Sequence, residues 1–379
     1  MTYDVVVCGG GVAGVSAALA ASRNNAKVLL VEREYALGGL ATLGLICIYL
    51  PLCDGAGTKM TSGIAEELLR LSIKYGPGEI PKAWLNPNSS LDEKIKTRYK
   101  VKFNPASFII SMEEELLKNN VDILYGSHIS GVNVKSNVID SINIETKTGK
   151  KEISGKTFID ATGDADICYF AGEEVIVEKN NRKTGWYFSY DNKELILNPL
   201  TDPLYTDIPK GSRLYSGVDI YDISQNCIDG RKMILDDINN KKRKNKEIYP
   251  LIIPAFHGLR MTRRFKGNYA FSTKDQGIFF KDTIGMIGNW RKTNERYTLP
   301  LKIIEATKNK NLYIAGRCVS ADDYGQDLTR VIPSCSVTGE AAGTLAAYQA
   351  INGKKPSVKK LQEILVNNGV LIQKSLFEN

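Results

Sequence analysis

The chain has 379 residues, 50 Lys+Arg against 42 Asp+Glu, two His and a formal charge of +8. Apolar residues make up 43% and charged residues 24%, which excludes a disordered chain. The seven Cys are sparse, odd in number and without close pairs, which excludes a small disulfide scaffold. No membrane span is expected, because the longest nearly uncharged apolar run, around residues 43–53, falls well short of ~20 residues. Free thiols and the absence of an export signal ahead of the first apolar run point to a cytoplasmic protein.

The first predicted element is a buried parallel strand over Tyr3–Cys8, a short apolar run that ends in glycine. Gly9-Gly10-Gly11-Val12-Ala13-Gly14 follows it, and residues 15–22 are small and Ala-rich, suited to a helix packed closely on a sheet. A second strand over residues 27–31 ends at Glu32, eighteen residues past Gly14. Strand, GxGxxG, helix, strand and acid at that spacing define a dinucleotide site. Gly9 permits the tight turn, Gly11 lets the backbone approach a pyrophosphate, and Gly14 lets helix and strand touch. The helix N-terminus offers N–H groups to the phosphates, with Val12 and Ala13 in its first turn. Glu32 accepts from ribose hydroxyls and would repel a 2′-phosphate, which argues against NADP.

Downstream, residues 121–160 alternate apolar and polar, with turns at Ser136-Asn137 and Thr148-Gly149, predicting a small antiparallel meander. His128 lies in it and reads as structural. Its last strand runs into Ala161-Thr162-Gly163-Asp164, a small turn where a ligand would sit. Residues 171–300 are richer in aromatics, charges and Pro, consistent with a substrate or cap domain. Lys241, Lys242, Arg243, Lys244 and Lys246 form a basic run, read as a solvated loop or helix face. A strand over residues 312–315, then Gly316-Arg317, and an Ala/Gly-rich helix over residues 334–348 complete the pattern. The tail reads as one more helix. The predicted class is α/β: a Rossmann-like domain with a central parallel sheet and a meander (1–170 and 305–353), an inserted α+β cap (171–304), and a C-terminal helix and tail (354–379).

Five blocks carry a resemblance to the FAD-dependent oxidoreductases, and within them to the bacterial single-chain "FAD-dependent oxidoreductase" family. These are residues 5–32, Gly38-Gly39-Leu40-Ala41-Thr42, residues 158–166, residues 312–317 with 339–343, and Gly258-Leu259-Arg260-Met261-Thr262-Arg263-Arg264. The flavin subunit of heterodisulfide reductase and the fumarate reductase flavoproteins are more distant relatives. The resemblance implies non-covalent FAD, since no His- or Cys-bearing attachment motif is present. It implies FAD contacts from the glycine turn, Glu32, Arg33, Gly38 to Thr42, Ala161 to Asp164, Gly316, Arg317, Asp322, Gly339 and Ala342. Asp322 matches an acid that bonds the ribityl chain in such flavoproteins.

Arg260, Arg263 and Arg264 would share one face if their segment were helical. Either they grip a substrate anion or the flavin phosphates, or they pair with acids of the FAD domain. His257 is the one His near a motif, as an acid, base or substrate ligand, or as a hydrogen-bonded structural residue. Arg330 precedes the last long helix and would approach the flavin or substrate. Cys47 and Cys53 are either two separately buried thiols or a dithiol over the flavin. No CxxC exists, so no metal or cluster is expected. The resulting expectation is a hydride exchange between flavin N5 and a small polar, possibly anionic, organic substrate. The alternatives are a flavin subunit serving a redox partner, a flavin-dependent RNA-modifying enzyme, or a carrier that keeps the fold for recognition. The expected partners are the small substrate and either further copies of the chain or a redox protein, with no membrane and no nucleic acid.

Overall fold

Strand β1 (Tyr3–Cys8) forms where the N-terminal apolar run was read, and its last four residues are buried. It lies inside its sheet between two other strands, with helices packed against it, which is why the run does not alternate. β2 (Val28–Val31), β3 (Asp122–Leu124), β4 (His128–Lys135), β5 (Val138–Thr146), β6 (Gly149–Asp160) and β7 (Leu312–Ile314) complete a seven-stranded sheet. The computed structural model describes residues 2–191, 193–201, 211–255 and 258–378.

β6 serves two layers. Residues 149–154 pair antiparallel with β5, whereas residues 155–160 pair parallel with β1 and, at their end, with β7. The parallel layer therefore runs β3-β2-β1-β6-β7, and β4-β5-β6 is the expected meander. Ser136 and Asn137 both take positive φ, 50° and 61°, as a two-residue hairpin turn of that twist requires.

The sheet is covered by helix α1 (Val12–Arg23) and by a long helix, Ile332–Asn352. Their contact is made of small residues. A Cβ on Gly339 would fall 2.2 Å from the Ala13 carbonyl oxygen, and one on Gly343 2.1 Å from that of Ala17. Ser16 and Ser336 share a buried hydrogen bond of 2.7 Å across the same seam. The long helix begins earlier than expected. Pro333 falls in its first turn, where a missing N–H costs no intrahelical bond.

Glu340 on this helix is 1% exposed, and its Oε2 accepts from the Ile64 N–H at 2.9 Å. It thereby caps helix Ile64–Ser72, whose own N-cap is Gly63. Burial pushes the Glu340 carboxyl up to about 8. A carboxyl raised in the fold gives stability that is present below its unfolded value of ~4 and is lost as pH rises through about 8. Glu340→Gln keeps the accepting oxygen and cannot ionise. The variant is expected to be more stable than the parent above pH 8, by on the order of 5 kcal/mol, and equal to it near pH 4. Urea melts across that range test this, and parallel profiles would refute it.

Within 171–304, strands Glu194–Pro199, Trp186–Asp191 and Tyr249–Ile252 form an antiparallel sheet. Helix Ile220–Lys242 packs on it around a small core of its own, Tyr187, Ile234 and Ile238. The hairpin Thr283–Gly288 with Arg296–Pro300 behaves differently. Its Ile284, Ile287, Tyr297 and Leu299 belong to the main core. The basic run occupies the end of helix Ile220–Lys242 and the turn after it, largely exposed. At the C-terminus, helix Val358–Asn367 buries Leu361 and Leu365. Among the described residues no helix is long and apolar enough to cross a membrane.

Candidate active site

A cleft open to solvent runs across the carboxyl ends of the parallel strands. That is the position at which open α/β sheets bind ligands. Its floor is the glycine turn. Gly9 takes φ +107°, and a Cβ there would strike the Ala161 carbonyl oxygen at 2.5 Å. Gly14 brings α1 onto the turn so closely that a Cβ would fall 1.8 Å from the Gly9 carbonyl oxygen. A Cβ on Gly11 would meet nothing within 4 Å, because that position faces the open cleft. Gly11 is also the N-cap of α1, with no side-chain cap and no acid in the first turn. These bare N–H groups suit a pyrophosphate.

Glu32 stands at one end of the cleft. Its carboxylate accepts from the N–H groups of Gly10 (2.5 Å) and Glu34 (2.8 Å), which fixes it at the strand end. Burial nevertheless raises its pKa. Ser127 and His128 line the cleft too, tied to this corner by the Ser127 N–H donating to the Glu32 carbonyl. The sequence reading had left His128 as merely structural. Gly38 donates its N–H to the Gly10 carbonyl at 2.8 Å, so the Gly38-Gly39 loop lies along the glycine turn. Arg33, Gly38, Gly39, Leu40 and Ala41 all line the cleft, as do Val12, Ala13, Ala161, Thr162, Gly163, Gly316 and Arg317.

Several expected contacts fall elsewhere. Thr42 does not line the cleft; its hydroxyl donates to the Leu37 carbonyl at 2.5 Å. Asp164 accepts from Arg317 at 3.2 Å and from the Thr262 hydroxyl, behind the cleft wall. Asp322 caps helix Asp323–Thr329, accepting from the Gly325 N–H at 2.6 Å, and has no place on the cleft surface. Gly339 and Ala342 lie in the body of the long helix; Gly339 is needed for contact with α1. Only the N-terminal end of that helix, Val331, Ile332 and Cys335, reaches the cleft. His257 lies outside the described residues.

The arginines divide. Residues Arg263–Phe265 form a strand paired with Val175–Val177, so the condition for a shared helical face is not met. Arg263 donates to the Asp164 carbonyl at 2.7 Å and pairs with Asp166. Arg264 pairs with Glu178 and Asp323 and donates to the Ala321 carbonyl. Both are buried structural ion pairs. Arg260 is different. It lines the cleft, its Nε has no hydrogen-bond partner, and among the described residues no carboxylate is within ion-pairing distance. Its guanidinium stands over the Trp186 ring at 5.7 Å. Burial, together with the charge of Arg330, lowers its pKa to about 9.

Arg330 also lines the cleft, with an unpartnered Nε, and shares Asp327 with Arg291. Arg317 donates to the Arg260 carbonyl at 3.2 Å and pairs with Asp164. Among the described residues Arg317 and Arg330 pair with Asp164 and Asp327 and Arg260 has no ion pair, so this wall is electropositive. Asp166, on the cleft, is raised to about 6 by burial and by Asp164 and Asp160. The thiols are not activated: burial pushes Cys47 and Cys335 up to about 12 and also raises Cys53. That argues for separately packed thiols and against a reactive dithiol.

The sequence reading missed the apolar lining. Ile46, Ile48 and Leu50 project into the cleft at every second position, and Trp186 and Trp290 join them. The alternation at 46, 48 and 50 was the one available signal, since the tryptophans arrive from separate segments.

The glycine turn with an open Gly11, a bound acid at the second strand and two helix N-termini on one cleft define an FAD-binding oxidoreductase. A sequence model described as FAD dependent oxidoreductase matches residues 4–186 and 188–365, and the chain belongs to that family, with FAD as its cofactor. The open cradle at Gly11 and the uncapped N–H groups at the start of α1 fit that large anionic cofactor. No curated protein matches the chain in sequence. Among solved structures, it is similar to CabE, an aromatic hydroxylase from angucycline biosynthesis (TM-score 0.48, 13% identity, 95% of this chain and 65% of that one). It thus spans a little under two thirds of that protein's length. It is also similar to a geranylgeranyl bacteriochlorophyll reductase-like protein of Thermoplasma acidophilum (TM-score 0.48, 16% identity, 97% and 83%). A third is p-nitrophenol 4-monooxygenase PnpA of Pseudomonas putida (TM-score 0.48, 13% identity, 99% and 89%).

Proposed function

We propose that this flavoenzyme oxidises or reduces a small polar organic molecule that carries an anionic group, held in the cleft by Arg260. The observation that carries the reading is the Arg260 guanidinium, set in a cleft wall with an unpartnered Nε and with no ion pair of its own among the described residues. A cation so placed is costly unless an anion completes the site. FAD, bound non-covalently, supplies the hydride exchange at its N5. The chain supplies position and charge. Glu32 and the first helix end hold the nucleotide half. The N-terminal end of the long helix, with no acid in its first turn, favours negative charge at the other half. Arg260, with Arg330 and Arg317 beside it, orients the substrate anion.

The experiment is anaerobic bleaching of the purified holoenzyme by a panel of small carboxylic acids, each paired with its neutral amide. The reading expects acids and not amides to bleach or to reoxidise the flavin. Bleaching by amides as fast as by acids would overturn it. Reduction by an added redox protein and by none of the acids would instead support the partner-subunit reading.

A further inference from the structure

The three-stranded sheet of the cap carries a surface far from the glycine turn. On it, Tyr190 stands opposite Leu195 on one side and Tyr249 on the other, and Phe188 stands between Leu197 and Ile252 in the same way. Side chains alternate along a strand, so these two rows share one face. The inner row closes onto the main core through Phe188 and Leu197. The opposite face, with Tyr187, is covered by helix Ile220–Lys242. The outer row is open: Leu195 and Tyr249 are exposed, and so are Leu251, Ile252 and Ile253 beside them. Apolar residues gathered in one such patch mark a contact surface, where scattered ones would not. The basic run borders it. Residues 242–247 lead straight into strand Tyr249–Ile252, and Asn245 Nδ2 donates to Asp191 Oδ1 at 2.8 Å, which ties the run to the end of strand Trp186–Asp191. Lys242, Arg243, Lys244 and Lys246 are exposed and, among the described residues, have no ion pair, whereas Lys241 pairs with Asp237. They outnumber the acids of this tip, Asp191, Glu194 and Glu247.

We propose that this tip of the cap docks on an anionic lipid surface, with Leu195, Tyr249, Leu251 and Ile253 entering the headgroup boundary and the basic run meeting the lipid charges. Reversible membrane binding takes two such signals together, apolar insertion and a polybasic segment. The composition favours lipid over the other partners. Protein interfaces are depleted in Lys, which makes up three of the four unpaired cations. An RNA surface would set rings beside its cations for bases to stack on. Here Tyr190 and Tyr249 stack on one another, with ring centroids 5.3 Å apart, and the other exposed apolar residues are aliphatic. Strand Tyr249–Ile252 is a sheet edge, but Pro250 and the charges before it blunt that edge against strand addition by a second copy. A peripheral contact of this kind differs from the solvated basic face and the absence of a membrane partner expected from the sequence. It does not depend on how the cleft holds its substrate. Strand Trp186–Asp191 joins the two, since Trp186 lines the cleft and Asp191 lies at the tip, about 17 Å further along the strand.

The test is co-sedimentation of the FAD-loaded full chain with phosphatidylcholine vesicles, with and without phosphatidylserine, at low and high salt. Binding to the phosphatidylserine vesicles is expected to be at least about ten-fold tighter than to phosphatidylcholine alone, and to be released by salt. Lys244→Glu combined with Lys246→Glu should weaken it by about ten-fold or more. Leu195→Ser combined with Leu251→Ser should do the same through lost insertion. Both variants should keep the flavin content of the parent, which reports that they fold. Equal sedimentation with the two vesicle types, or none with either, would overturn the proposal on the parent protein alone, whether or not the variants fold. Tighter retention of bulk tRNA than of anionic vesicles, lost with the two lysines, would give the run to RNA and overturn it. A dimer in sedimentation velocity that the two serine substitutions break would give the patch to a second copy, with the same consequence. Each of these results leaves the carboxylate reading of the cleft as it stands.

Discussion

Replacing Arg260 with methionine is expected to abolish carboxylate binding while leaving the folded protein as stable as before or more so. The two effects share one cause. Arg260 has no acid within ion-pairing distance among the described residues, and burial already lowers its pKa to about 9. Removing a cation that has no ion pair of its own and filling its volume with a flexible apolar chain relieves a desolvation cost. The same cation is the one a carboxylate would meet, and losing one partner of such a buried pair costs about 2–5 kcal/mol. That corresponds to a loss of affinity of roughly 30- to 5000-fold. Arg264→Met makes the contrast. Arg264 pairs with Glu178 and Asp323, so its removal strands acids that the fold had paired. It should lower stability by about 3 kcal/mol or more without selecting against carboxylates. Thermal melts and carboxylate titrations on the two variants separate the roles. Equal carboxylate affinity in Arg260→Met and the parent would refute the assignment.

The glycine turn predicts a second contrast of similar size. Gly14→Ala puts a Cβ 1.8 Å from the Gly9 carbonyl oxygen, backbone against backbone. Neither atom is the end of a flexible chain, so α1 must move off the turn, at a cost of about 3 kcal/mol. The flavin-free protein should melt early. Gly11→Val is the opposite case. Gly11 has φ −67° and ψ 177°, open to any residue, and its Cβ would point into empty cleft. The flavin-free protein should therefore melt as the parent does. FAD affinity should fall by roughly one to two orders of magnitude, because the side chain occupies the approach to the pyrophosphate. Melting curves with and without added FAD read both. If Gly11→Val keeps full FAD affinity, the cofactor does not pass over this turn.

How much of this was legible beforehand depended on how far apart in sequence the contacting residues lie. The glycine turn, α1 and Glu32 are one local unit, and their spacing alone identifies them. The turns of the meander are also local, with Ser136 and Asn137 tolerating the positive φ that the hairpin requires. The long helix was recognisable as a tight packer from its Ala and Gly content. The family resemblance implied cofactor contacts at Gly339 and Ala342, whereas Gly339 lets α1 approach. Asp322 was misread for a related reason: an acid after the last sheet strand is also what a helix N-cap demands. The arginine block left two readings open, and the acid-pairing one holds for Arg263 and Arg264, which lie in a strand and not in a helix. Their partners Asp164, Asp166, Glu178 and Asp323 come from distant segments, which no spacing rule reaches. Trp186 and Trp290 meet at the cleft only through the tertiary fold.

The central claim is that this cleft holds FAD without a covalent bond. Its most direct test is the visible absorption spectrum of the purified protein, repeated on the supernatant after heat denaturation, with the released flavin identified. A flavin spectrum and FAD free in the supernatant are expected. A colourless protein that takes up no flavin when FAD is supplied, or a flavin that stays with the precipitate, would contradict it.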